Sequence, residues 1–158
     1  MPRERIVDQL RRNAVALISL VIAITSLGYN TWRNEHTENN RNQRWASFEI
    51  LLKLGELREL INLNHYDCNP TLRGNPRTGW VIVETVVDLA PVIEEMAPES
   101  ADKLRNVWAA HSAAIDYNGV EECRNPALRA RGDKAIVEIR TAINEVRDDI
   151  VSVLHSLT

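Results

Sequence analysis

Aromatic residues are scarce in this sequence, at 5% of 158 positions, and it holds only two cysteines, six glycines and six prolines. So few rings suit aliphatic helix packing better than a sandwich or barrel. Glycine and proline fall almost wholly between apolar stretches, where they punctuate elements. No block of Lys and Arg and no basic face with interleaved aromatics is present, and the net charge is −3. Nucleic acid is therefore not an expected partner. Missing too are a G-x-S-x-G turn, a phosphate-cradling glycine loop and any C-x-x-C or H-x-x-x-H spacing. No catalytic residue, cofactor or metal is expected, and an enzyme is not the expected class. Hydrophobic residues at 44% and charged residues at 26% give a globular balance, at a length that allows one domain.

Charge is absent from Asn13 to Trp32, a run that would span roughly 30 Å as a helix, about the thickness of a hydrocarbon core. Its centre, Ala14 to Leu27, is dense in Leu, Ile and Val, and Tyr29 and Trp32 follow where rings favour the interface. The only passable cleavage site, Ser26-Leu27-Gly28, is weak, so an uncleaved anchor is expected over a signal peptide. Arg3, Arg5, Arg11 and Arg12 before the run outweigh Arg33, Arg41 and Arg44 after it, which places the N-terminus in the cytoplasm. The expected location is the inner (plasma) membrane, with the remainder periplasmic or otherwise extracytoplasmic. Within the run, Ala16, Ser19, Ala23, Ser26 and Asn30 recur at alternating spacings of three and four. A small-residue stripe of this kind lets a second transmembrane helix approach in lipid, from a sister copy or a larger membrane complex.

The expected organisation is residues 1–12 cytoplasmic, 13–32 the anchor, 33–44 a polar stalk and 45–158 a helical domain. In that domain Ile50, Leu54, Leu57 and Ile61 step at helical spacing, with Trp45, Phe48, Leu51 and Leu60 broadening the core face. Asn69-Pro70 through Gly74-Asn75-Pro76 and Gly79 predict a loop. Ile82, Val86, Leu89, Ile93 and Met96 predict a second helix kinked at Pro91, although the β-branched run at 80–87 also suits a strand. Pro98 opens a third helix lined by Leu104, Trp108, His111 and Ile115 and ended by Asn118-Gly119. In the fourth, Ile136, Ile139, Ile143, Val146, Ile150, Val153 and Leu157 alternate three and four, with charges flanking the seam. The predicted fold is all-α, a single N-terminal transmembrane helix followed by an up-down-up-down four-helix bundle.

That topology puts Cys68 and Cys123 at one end of the bundle, which makes a disulfide between them feasible in an oxidising compartment. His65, Asp67, Glu121 and Glu122 would gather at the same end, a donor set adequate for zinc but without its spacing. His111 is expected as a packed core residue, and Glu35, His36 and Glu38 as solvated stalk surface. In Arg131-Gly132-Asp133 the glycine is expected to soften the start of the fourth helix.

From Trp45 to Thr158 the layout resembles the extracytoplasmic four-helix bundles of bacterial chemoreceptors and sensor kinases, in arrangement and without a shared motif. That resemblance implies a ligand-sensing module. With no second span before Thr158, any signal would pass through a partner. The first expectation is instead an accessory, scaffold or assembly subunit of an envelope complex, working through its span and its bundle surface.

Overall fold

The computed structural model describes residues 12–67, 75–93, 98–117 and 119–157. Among these residues the chain is all-helical, with five α-helices and no strand, so residues 80–87 are helix. The chain divides into two compact units, Met1–Arg41 and Asn42–Thr158.

Helix α1, Ala14–Tyr66, contains the one segment among the described residues that is long and apolar enough to cross a membrane. Nothing in its most apolar eighteen-residue window is buried. The asparagine-rich stretch after it stays helical. Thr31 and Thr37 bond back to the carbonyls of Leu27 and Arg33, and Arg41 pairs with Glu38 one turn away at 2.6 Å. The Arg41–Glu38 pair adds only a few tenths of a kcal/mol against the weak helix propensity of asparagine, and the threonine back-bonds satisfy their hydroxyls without strengthening the helix.

The second unit starts from the later part of α1. There Ala46, Ile50, Leu54, Leu57 and Ile61 are buried at helical spacing and form one wall of the core. Leu60 joins them and Leu51 is half-buried, but Trp45 and Phe48 are turned outward, against expectation. The helix carries two apolar stripes, and the core takes the one richer in branched aliphatics.

Helix α2, Pro76–Leu89, starts inside the expected loop. Asn75 caps it by accepting the Arg77 N–H at 2.9 Å, and proline at the first turn has no amide to leave unsatisfied. Ile82, Val83 and Val86 are its core face, and Ala90 just past its end is buried with them. Pro91 ends the α-helix rather than kinking it. Without an N–H it cannot continue the i→i−4 ladder, and Ala90–Val92 form a 3₁₀ turn that delivers buried Ile93. Met96 lies outside the described residues.

Helix α3, Pro98–His111, buries Ala101, Leu104 and Trp108. It stops earlier than Asn118-Gly119: a 3₁₀ turn at Ser112–Ala114 follows, and Ile115 is buried beyond it. Gly119 has φ +141°, a backbone region closed to side chains, and leads into the short helix α4, Val120–Arg124. Helix α5, Pro126–Ser156, is capped by Asn125, whose Oδ1 accepts the N–H groups of Ala127 and Leu128. Its seam Ile136, Ile139, Ile143, Val146, Ile150 and Val153 is buried throughout, and Leu157 is half-buried just past the helix end.

Polar contacts fix how these helices run. Arg58 donates to Asn144 at 2.6 Å, Arg140 donates to Asn62 at 2.8 Å, and Arg44 reaches the Leu157 carbonyl. Numbers rising on α1 meet numbers falling on α5, so the two are antiparallel. Arg105 grips Glu84 with two bonds of 2.9 Å, and Gly79 faces Trp108, so α2 and α3 are antiparallel too. Lys103 and Glu145 join α3 to α5. These exposed ion pairs orient more than they stabilise. Of the four tryptophans, Trp108 is 1% exposed, whereas Trp32, Trp45 and Trp80 all reach the surface.

Candidate functional site

The last turn of α1, the segment after the 3₁₀ turn and the first turns of α5 converge on one histidine. His65 is fully buried. Its Nε2 lies 2.8 Å from Asp133 Oδ1, and its Nδ1 lies 2.9 Å from the Tyr117 hydroxyl. A carboxylate only accepts, so Nε2 carries the proton that goes to Asp133, and the Tyr117 hydroxyl, which can donate or accept, meets Nδ1. Burial pushes the Tyr117 hydroxyl above its usual pKa of 10.0. Arg129 opposes the shift and Asp133 adds to it.

Gly132 makes this arrangement possible. A Cβ there would overlap the Tyr117 hydroxyl and come within 2.8 Å of the His65 ring. The glycine therefore does not soften the start of a helix. It lies within α5, buried, as the floor under two rings. Gly79 has the same relation to Trp108, whose six-membered ring fills the space of the missing side chain.

Beside His65, Asn64 and Trp108 line a cavity of about 160 Å³ together with Ser112, Ala113 and Asp116. The Asn64 Oδ1 and Trp108 Nε1 are buried without a hydrogen-bond partner, which costs free energy unless something small and polar meets them. His111 is not the core residue expected from its spacing. It is half-buried on a shallow depression of about 450 Å³ whose described lining residues, Glu99, Asp102, Lys103 and Asn106 among them, all lie on α3.

The other expected residues fall as follows. Cys123 is buried on α4, where the Arg129 guanidinium approaches its carbonyl at 3.4 Å. Cys68 lies outside the described residues, among which no cysteine is free. No three His, Cys, Asp or Glu side chains among the described residues group as metal ligands. Ala16, Ser19, Ala23, Ser26 and Asn30 are all exposed on α1. The second unit has an apolar stripe of its own, Trp45, Phe48 and Leu52, which are 61%, 59% and 64% exposed. Sequence spacing missed the trio of His65, Tyr117 and Asp133 because its members are far apart in the chain. The one local signal was a glycine inside an otherwise regular helical repeat.

In comparisons with known protein families, with curated proteins and with solved structures, nothing matches this chain.

Proposed function

We propose that this chain is a single-pass membrane protein that works by contact, as an accessory, scaffold or assembly subunit of an envelope complex. Residues 13–32 are the anchor, with the short N-terminus in the cytoplasm. Residues 45–158 form an up-down-up-down four-helix bundle outside it. The observation that carries this reading is apolar surface left open: an unburied membrane-length segment in α1, and the Trp45, Phe48 and Leu52 stripe on the second unit. Exposed apolar patches on a well-packed unit mark interaction surfaces. Within the first of these, Ala16, Ser19, Ala23, Ser26 and Asn30 are proposed as the face for another transmembrane helix. In the same reading Cys68 and Cys123 form a disulfide, closing a loop that restrains the unfolded chain by roughly 4 kcal/mol.

One observation favours a second reading, a ligand-sensing module that signals through a partner. Asn64 and Trp108 line a small cavity, and each also has a buried polar atom, Oδ1 and Nε1, that lacks a hydrogen-bond partner. Gentle detergent extraction followed by identification of co-purifying components separates the two. A stoichiometric membrane protein partner supports the scaffold. A bound small molecule without any protein partner supports the sensor and counts against the scaffold.

A further inference from the structure

The Trp45 stripe has the repeat of a helix-pairing seam. Trp45, Phe48, Leu52 and Gly55 step by three, four and three, and all four are exposed on α1. Placed in a heptad, Trp45 and Leu52 take the a positions and Phe48 and Gly55 the d positions. Gly55 adds an independent observation. It lies mid-helix, where glycine costs roughly 0.5–1 kcal/mol relative to alanine, and, apart from its own helical turn, no described residue lies within 4 Å of the Cβ it lacks. Gly79 and Gly132 each make room for a ring of the same molecule, but Gly55 makes room for no side chain among the described residues. Absence of a side chain at a d position allows close approach of a second backbone.

The flanking charges choose the occupant. Arg44 takes the g position and Glu49 the e position of the next heptad, and both have accessible side chains. In a parallel pair of this helix, a g residue faces the partner's e residue five positions on, so Arg44 meets the partner's Glu49, twice by symmetry. An antiparallel pair would set Arg44 against the partner's Arg58 and Glu49 against the partner's Glu49, like charge on like. Parallel is also the arrangement that two chains anchored in one membrane must adopt, the one point at which this inference rests on the reading above. Glu49 and Glu56 beside the stripe are unfavourable to an anionic lipid surface. We infer that a second copy of this chain covers the stripe, giving a parallel homodimer centred on Trp45, Phe48, Leu52 and Gly55.

The test uses the full chain in mild detergent. In Phe48→Cys the two introduced thiols face each other across the two-fold axis, so mild oxidation should yield a reducible dimer band that wild type, oxidised alongside, does not give. Glu49→Cys lies off the seam and should cross-link far less. Leu52→Lys should raise the dissociation constant of the dimer, followed by analytical ultracentrifugation, by roughly tenfold or more while leaving the circular dichroism melt in place. A monomeric wild type, or equal cross-linking at positions 48 and 49, overturns the parallel homodimer. So does a dimer indifferent to Leu52→Lys. If the chain still extracts only with detergent and retains a different stoichiometric partner, the scaffold reading survives while the homodimer falls. If the chain extracts without detergent, the anchor reading falls, and the cross-linking result still decides the dimer.

Discussion

Replacing Gly132 with alanine should destabilise the second unit, although the same change in an open helix stabilises. In a helix interior alanine is favoured over glycine by roughly 1 kcal/mol. Here the new methyl has to enter space held by the Tyr117 hydroxyl and the edge of the His65 ring. Overpacking of this kind costs roughly 1–3 kcal/mol. If Tyr117 gives way, the buried Nδ1 of His65 loses its hydrogen-bond partner, at a further cost of roughly 1–3 kcal/mol. The net expectation is a loss of about 2–3 kcal/mol, or about 10 °C in Tm for a unit of this size. Thermal and urea melts of the full chain in detergent, followed by near-ultraviolet circular dichroism, would measure it. A second substitution makes the experiment specific. Tyr117→Phe removes the clashing oxygen, and in that background Gly132→Ala should cost at least about 1 kcal/mol less than it does alone. A neutral or stabilising Gly132→Ala would refute the reasoning. So would costs that simply add in the double variant, since the alanine would then not act through the hydroxyl.

Three further outcomes are expected. Because burial raises the Tyr117 pKa, folding favours the neutral phenol. The stability this confers is complete below the unfolded value of 10.0 and is lost as pH rises through the higher folded value. Urea midpoints should therefore fall more steeply above about pH 10 in wild type than in Tyr117→Phe, and equal slopes would exclude that residue as the cause. Non-reducing peptide mapping should find Cys68 linked to Cys123, and reducing or removing that bridge should cost roughly 2–5 kcal/mol, whereas two freely alkylated thiols in unreduced protein would reject it. In the proposed membrane segment Ala23→Leu should weaken association with a partner helix while Leu20→Phe leaves it intact. Equal retention of both in a detergent pull-down would make the small-residue stripe an accident of composition.

The legibility of this fold in its sequence was uneven, for physical reasons. The α5 seam from Ile136 to Val153 is legible because one narrow apolar stripe is flanked by charges such as Glu138, Arg140, Glu145, Arg147 and Asp148. On α1 the same method assigned Trp45 and Phe48 to the core. Periodicity detects apolar faces but does not say which of two faces a core will take, and that choice depends on what the other helices bring to it. Pro91 reads as a disturbance in the sequence, but spacing alone does not say whether a helix kinks or ends there; in the fold it ends, in a 3₁₀ turn that leads to buried Ile93. Gly132 was visible as an interruption, but its reason lies in Tyr117 and His65, which only the folded chain sets against it. The cavity beside Asn64 was invisible in the same way, since none of its residues forms a motif.

The placement of the four tryptophans makes the chain its own optical instrument. Trp108, sealed against Gly79, should emit in the blue and resist aqueous quenchers until the second unit unfolds, so its emission reports folding alone. Trp45, 61% exposed on the proposed seam, should shift to the blue and lose access to iodide only when another surface covers it. Trp32, at the end of the apolar run, should answer instead to quenchers dissolved in lipid. Three single-tryptophan variants, each retaining one of these rings with the others changed to phenylalanine, would let folding, docking and membrane insertion be followed by separate colours of one unlabelled protein.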